Sequence, residues 1–249
     1  FILLLIFIII NTYFSLNIQH SIKGWLGFIK NILLFFSIYF ALSNNIFKRN
    51  FLKFTFIILI FVLLDTLIQY FFGKDIFGFE TGNSHGTRLS GPFGDEYVVG
   101  AFIAKFFFIS LMYLHINYNK KKFQLYIVLF FSISLLVVFL SQERSAFFIF
   151  ILASVFYFIF ARLNLKIKFY TLAITVLLIS TILYNNDSYK NKYYKLTSQQ
   201  LGISKVPHQY NSYKNFQTDS FWDSRYGAHF LTAIEIFKDN KFTGAGAKN

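Results

Sequence analysis

The sequence predicts an all-α fold, a polytopic bundle of transmembrane helices, from three observations. The 249 residues are 55% hydrophobic and only 14% charged, whereas soluble domains carry about 25% charged residues. Long apolar runs recur between short polar gaps, as expected when lipid is the main solvent. The runs are continuous in apolar character, as at residues 137–140 and 147–152, which favours helices over the alternating strands of a barrel.

Seven candidate spans follow from the length of about 20 residues that a helix needs to cross a bilayer. They are residues 1–10, which make only a partial span, and then 25–42, 52–72, 97–114, 123–140, 146–161 and 169–183. Residues 1–183 are therefore predicted to form the bundle, and residues 184–249 the start of a large outer loop. The chain opens inside an apolar run and stops in a Gly-Ala-Gly-Ala stretch, so we expect truncation at both ends.

The direction of the chain follows from the basic residues of its short loops, which concentrate on the cytoplasmic side. Three basic clusters fall on one side of the seven-span arrangement: Lys48, Arg49 and Lys53; Lys120, Lys121 and Lys122; Arg162, Lys166 and Lys168. Residues 73–96, 142–145 and 184–249 then face outward. In a bacterial inner membrane, where we expect this multi-pass protein, outward means periplasmic.

Charge and cysteine content exclude several functions. The net charge of +13 is spread between apolar runs, whereas nucleic-acid binding needs a basic patch, so no nucleic-acid partner is predicted. The chain has no cysteine, which rules out disulfides and cysteine-based metal sites. We expect neither a metal nor a cofactor.

Arg144 lies in a very short outward turn between two predicted spans, so it must sit near the membrane surface. An arginine beside a helix N-terminus can bind an anion. In the alternative interpretation, Glu143 pairs with Arg144 and Ser145 caps the helix. The spacing favours neither.

Two further arginines lie in outward segments. Arg88 belongs to a turn punctuated by glycine and proline, and Asp95 and Glu96 follow it where the next helix should begin. Ordinary capping of a solvated loop also explains that pattern. Arg225 opens residues 225–239, whose apolar residues recur at helical spacing, so a helix lying on the membrane surface or on the other loop is predicted.

Three stretches together resemble the O-antigen polymerase and ligase family. Arg88-Leu-Ser-Gly-Pro-Phe-Gly-Asp-Glu-Tyr97 is similar to an outward loop before a helix, and Gln142-Glu-Arg-Ser-Ala-Phe147 to a short arginine turn. The stretch from Asp223 to Phe237, followed by Thr243-Gly-Ala-Gly246, resembles the start of the large periplasmic loop. Their order and sidedness also agree, over residues 52–249.

The resemblance implies metal-independent glycosyl transfer in lipopolysaccharide biosynthesis, on a glycan carried by undecaprenyl diphosphate. Arg144 is then the foremost diphosphate ligand, with Arg88 and Arg225 as further ones. The family's catalytic histidine would fall beyond Asn249, so this fragment should be inactive alone. Membrane lipid and a chain-length regulator or other assembly proteins are the implied partners. The remaining outward histidines, which we expect to be solvated or interfacial, are His85, His208 and His229.

Other functions remain open. An O-antigen ligase would transfer the glycan to lipid A core instead of another lipid-linked glycan. A transporter of lipid-linked sugars or anions would show broken helices, and these spans have few Gly or Pro interruptions. A structural membrane subunit would carry no chemistry.

Asp65 and Lys105 fall inside spans, both roughly 11 Å below the outer surface at about 1.5 Å per residue, so a structural ion pair between neighbouring helices is predicted. In the alternative, Lys105 extends outward and Asp65 contacts water. Tyr193, Tyr194 and Tyr210 can stack on sugar rings, but an interface position is the favoured interpretation.

Overall fold

The computed structural model describes residues 2–15, 17–81, 88–118, 120–161, 163–200, 222 and 225–241. Their regular structure is helical, and the only β feature among them is an isolated bridge between Lys74 and Glu80. The chain divides into two compact units. One contains Phe1–Asn45 and Lys195–Asn249, and the other contains Ile46–Tyr194.

Each predicted span corresponds to a helix. The first seven helices are α1 Ile2–Tyr13, α2 Ile18–Ser43, α3 Asn45–Phe72, α4 Val99–Asn117, α5 Lys120–Leu140, α6 Arg144–Phe160 and α7 Leu165–Asn185. After them come α8 Asp187–Lys190, a π-helical turn Asn191–Lys195, α9 Leu196–Gln200 and α10 Arg225–Asp239.

Five of these helices are long and apolar enough to cross a membrane, namely α2, α3, α4, α5 and α7. The apolar helix α6, with 17 residues, is slightly shorter. The predicted all-α fold with several long apolar helices is therefore confirmed for the described residues. The orientation in the bilayer and the large outer loop stay predictions.

Helices α2, α3 and α7 begin well before the predicted spans, and in α2 and α7 asparagine side chains cap the first turns. Asn17 Oδ1 accepts from His20 N at 3.1 Å, so α2 starts well before residue 25. Asn164 Oδ1 accepts from Lys166 N at 3.1 Å, so α7 starts before residue 169. Such caps stabilise a helix start by about 1 kcal/mol.

Aromatic packing holds the core of the unit Ile46–Tyr194. The fully buried ring of Phe107 in α4 stacks on Phe130 of α5, with ring centres 4.9 Å apart, and meets Phe150 of α6 edge-on at 5.0 Å. Helix α5 also packs along α7. Because association of helices in lipid depends on such close van der Waals contacts, this cluster fixes the ends of α4, α5 and α6 relative to one another.

The ion pair expected between Asp65 and Lys105 is not formed. Asp65 is fully buried, and its Oδ1 accepts from the backbone N of Ile76 at 2.9 Å. Lys105 is exposed, and no ion pair joins it to Asp65 in the described chain. The equal depths predicted for the two residues do not fix the direction in which each helix turns its side chain. The loop after α3 folds back and supplies Asp65 with an amide instead.

The helix α10 has the predicted extent, residues 225–239, and its apolar side chains Phe230, Leu231, Ile234 and Phe237 are exposed. Its predicted place on a membrane surface remains a prediction.

The predicted orientation is testable because the chain has no native cysteine. Asp95→Cys, in the segment predicted to be periplasmic, should react with a membrane-impermeant maleimide on intact spheroplasts. Asn164→Cys, before α7, should react only after the membrane is opened. Both side chains are exposed, so the reverse labelling pattern would invert the proposed topology.

Candidate functional site

The turn between α5 and α6 places Arg144 at the first position of α6. Gln142 adopts a left-handed conformation with φ of 60°, which lets the chain reverse within three residues. Ser141 Oγ donates to Val138 O at 2.8 Å and accepts from Glu143 N at 3.3 Å. The turn is thus braced internally, and Arg144 lies beside the free N–H groups of α6.

Glu143 connects this turn to the start of α4. Its Oε1 accepts from Gly100 N at 2.7 Å and its Oε2 from Ala101 N at 3.3 Å. These bonds cap α4 across 43 residues, where the local residue Val98 provides no side-chain cap. The carboxylate therefore caps α4. The prediction that Ser145 caps α6 is wrong, because Glu143 holds the N-cap position, whereas the pairing of Glu143 with Arg144 stays a prediction.

Burial raises the pKa of the Glu143 carboxyl above its ordinary value. The two amide hydrogen bonds and the charges of Arg88 and Lys105 act in the opposite direction but do not cancel it. The positive charges of Arg88 and Lys105 therefore both act on the Glu143 carboxyl.

The loop before α4 is tied to the C-terminal end of α3 by one side chain. Gln69 is fully buried, and its Oε1 accepts from Ser90 N at 3.0 Å and from Gly91 N at 2.8 Å. Its Nε2 donates to Phe79 O and to Ser90 Oγ, both at 3.2 Å. All of its hydrogen-bonding groups are engaged, which holds the residues immediately after Arg88 in place.

Arg88 lies against the start of α4. Its Nη2 donates to Tyr97 O at 3.2 Å, and its guanidinium carbon lies 5.1 Å from the centre of the Tyr97 ring. Its Nε is buried and has no hydrogen-bond partner within the described residues. Since a buried donor without a partner costs about 1–3 kcal/mol, Arg88 is suited to receive an additional acceptor.

The segment after α7 folds onto the end of α5 through two tyrosines. Tyr189 Oη donates to Leu140 O at 3.2 Å, and Tyr193 Oη donates to Phe139 O at 2.8 Å. The Tyr193 ring stacks on Phe139 with centres 4.4 Å apart. Burial raises the pKa of Tyr189 to about 12 and raises that of Tyr193 further. Tyr193 therefore packs inside the protein, whereas its neighbour Tyr194 is exposed.

These contacts bring two of the three predicted arginines to the same end of the unit Ile46–Tyr194. The charges of Arg88 and Arg144 both act on Tyr193 and on the half-buried Lys192. Arg225 begins α10 in the other unit, and its side chain lies outside the described residues. The candidate site therefore combines three segments, which are the loop before α4, the start of α6 and the segment after α7.

Sequence reasoning missed Lys192 and the role of Glu143. Lys192 stands in a polar run with Lys190 and Lys195, so nothing in the local pattern separates it from its neighbours. The signal for Glu143 was the lack of a capping residue before α4, which leaves helix N–H groups in need of an acceptor.

The predicted histidines contribute nothing to this site in the described chain. His229 is exposed on α10, and His85, His208 and the stretch from Thr243 lie outside the described residues. No group of three side chains able to hold a metal ion occurs within the described ranges. Comparisons with protein-family models, with curated proteins and with solved structures found no match to this chain.

The close approach of the turn to α4 can be tested at Gly100. A Cβ there would lie 2.6 Å from Ser141 Oγ and 3.1 Å from Glu143 Cβ. Gly100→Ala should therefore push the turn away and destabilise the protein by about 1–3 kcal/mol, seen as a lower midpoint of thermal unfolding in detergent. Gly27→Ala is the matched control, because nothing lies within 4 Å of its Cβ position. Equal midpoints for both variants would refute the packing described here.

Proposed function

We propose that this chain belongs to a membrane glycosyltransferase that polymerises lipid-linked oligosaccharides carried on undecaprenyl diphosphate, as in O-antigen assembly. The observation that carries the proposal is that two segments meet at the start of α4: Arg88 donates to Tyr97 just before this helix, and Arg144 follows Glu143, which caps it. The two residues belong to two of the three stretches that resemble the O-antigen polymerase and ligase family.

A diphosphate suits this arrangement chemically. Arginine presents a planar fork of donors that matches phosphate oxygens, and it stays charged at any relevant pH. The N–H groups at the start of α6 add partial positive charge. The nearby carboxylate of Glu143 is engaged by Gly100 and Ala101, so its oxygens are turned toward α4.

In the proposed reaction, a hydroxyl of the acceptor glycan attacks the anomeric carbon of the donor sugar. A new glycosidic C–O bond forms while the C–O bond to the diphosphate breaks, and the diphosphate leaves with the bonding electron pair. The hydroxyl proton passes to a general base, for which the family resemblance implies a histidine. The arginines stabilise negative charge as it grows on the departing diphosphate, as fixed donors do in other enzymes.

The test uses the full-length gene product, purified and supplied with undecaprenyl-diphosphate-linked repeat units. Arg144→Ala should reduce formation of the polymer ladder on a gel by about 100-fold or more, the effect of removing one charge-stabilising donor. Arg49→Ala is the matched control, because Arg49 is an exposed arginine at the start of α3, and it should leave the ladder unchanged.

A folded protein that makes no ladder would refute polymerisation. The same sample should then receive lipid A core as acceptor, since transfer to that acceptor would identify a ligase. A structural subunit predicts that Arg144→Ala changes the amount of protein but not the glycan pattern.

A further inference from the structure

Lys192 differs from its lysine neighbours in its surroundings. It is half-buried, whereas Lys190 in the same short segment is exposed. The hydrogen bonds of Tyr189 and Tyr193 to Leu140 O and Phe139 O, at 3.2 and 2.8 Å, fasten this segment to the last residues of α5. The turn that carries Arg144 begins directly after those residues, so the backbone of Lys192 is fixed beside it.

Two positive charges act on Lys192. Burial, together with the charges of Arg88 and Arg144, lowers the pKa of the Lys192 ammonium below its ordinary 10.5. The Glu143 carboxylate nearby accepts hydrogen bonds from the α4 amides. Three cations brought together by three separate segments repel one another, and a multivalent anion relieves that repulsion.

We infer that Lys192 is a third ligand for the diphosphate group, completing with Arg88 and Arg144 a three-cation site at the outer end of α4, α5 and α6. The inference rests on the proposed function for the identity of the anion. The two arginines supply directional forks and Lys192 a compact charge, while the buried Nε of Arg88 offers one more donor. A diphosphate ester has enough oxygens to engage all three side chains.

The inference predicts that the affinity for the diphosphate depends on pH. An anion in the site favours the charged form of Lys192, so binding is accompanied by proton uptake once the pH exceeds the lowered pKa of the free lysine. Affinity is therefore full below that pKa and falls as the pH rises through it, which happens before 10.5. Among the facing groups, the arginines stay charged, and burial raises the pKa of Tyr189 to about 12 and that of Tyr193 further. Burial also raises the pKa of the Glu143 carboxyl.

The experiment measures binding of geranyl diphosphate by calorimetry to the chain in phosphatidylcholine nanodiscs. The phosphates of this probe are ionised throughout the alkaline range. Lys192→Gln should weaken binding by about 10- to 100-fold, the loss expected for one charge-assisted hydrogen bond. Lys190→Gln, the exposed control, should bind like the wild type. Lys192→Arg should retain affinity and abolish the decline with pH, since arginine does not deprotonate there.

The outcomes distinguish the role of Lys192 as a ligand from the proposed function. If the wild type and Lys192→Gln bind equally while Arg144→Gln loses affinity, Lys192 is not a ligand and the proposed function survives. If the wild type does not bind the probe at all, both are overturned. Loss of affinity in Lys192→Arg as well as in Lys192→Gln would show that the lysine acts through local structure, and it would refute a charge-based role.

Discussion

The need to satisfy backbone groups at the ends of α4 and α5 organises this end of the molecule. Helix ends leave N–H and C=O groups without partners, and near a bilayer water cannot be relied upon to satisfy them. Glu143 supplies the acceptor for Gly100 and Ala101. The hydroxyls of Tyr189 and Tyr193 supply donors for the final carbonyls of α5. Because each partner comes from a different segment, satisfying these groups also draws the segments together.

Gln69 extends the same principle to the loop before α4. A fully bonded amide in a buried position is stabilising and directional, whereas the same amide without partners would be costly. Through Ser90 and Gly91, it fixes the residues that follow Arg88. Gly91 has a φ of 52°, and a Cβ at this position would lie 2.5 Å from Thr66 Oγ1. The loop can therefore come this close to α3 because glycine has no Cβ. The position of Arg88 thus depends on a residue at the end of α3 that carries no charge.

The sequence was sufficient for the helices and insufficient for most side-chain partners. Apolar runs identify helices well because the bilayer imposes their length, and the caps Asn17 and Asn164 account for the early starts of α2 and α7. The stretches around Arg88 and Arg144 were also recognisable as turns between helices. Asp65 and Lys105 show the limit, because equal predicted depths along two helices leave the rotation of each helix undetermined. The sequence alone does not distinguish Lys192 from Lys190. The structure does, because Tyr189 and Tyr193 on either side of Lys192 bond to α5.

The three cations illustrate why such a site is assembled from distant segments. A cluster of like charges on one short turn could separate by local rearrangement, whereas here each charge is held by its own set of contacts. Tyr97 holds the Arg88 side chain, while the backbone of Arg144 is fixed as the first residue of α6 and that of Lys192 by the tyrosines that bind α5. In half-buried positions like charges are weakly screened from one another. Under the proposed function, a diphosphate would gain the relief of this repulsion in addition to its own contacts, and it would meet donors that need little reorganisation. On this view, the hydrogen bonds that satisfy the helix ends are also what makes the site ready for an anion.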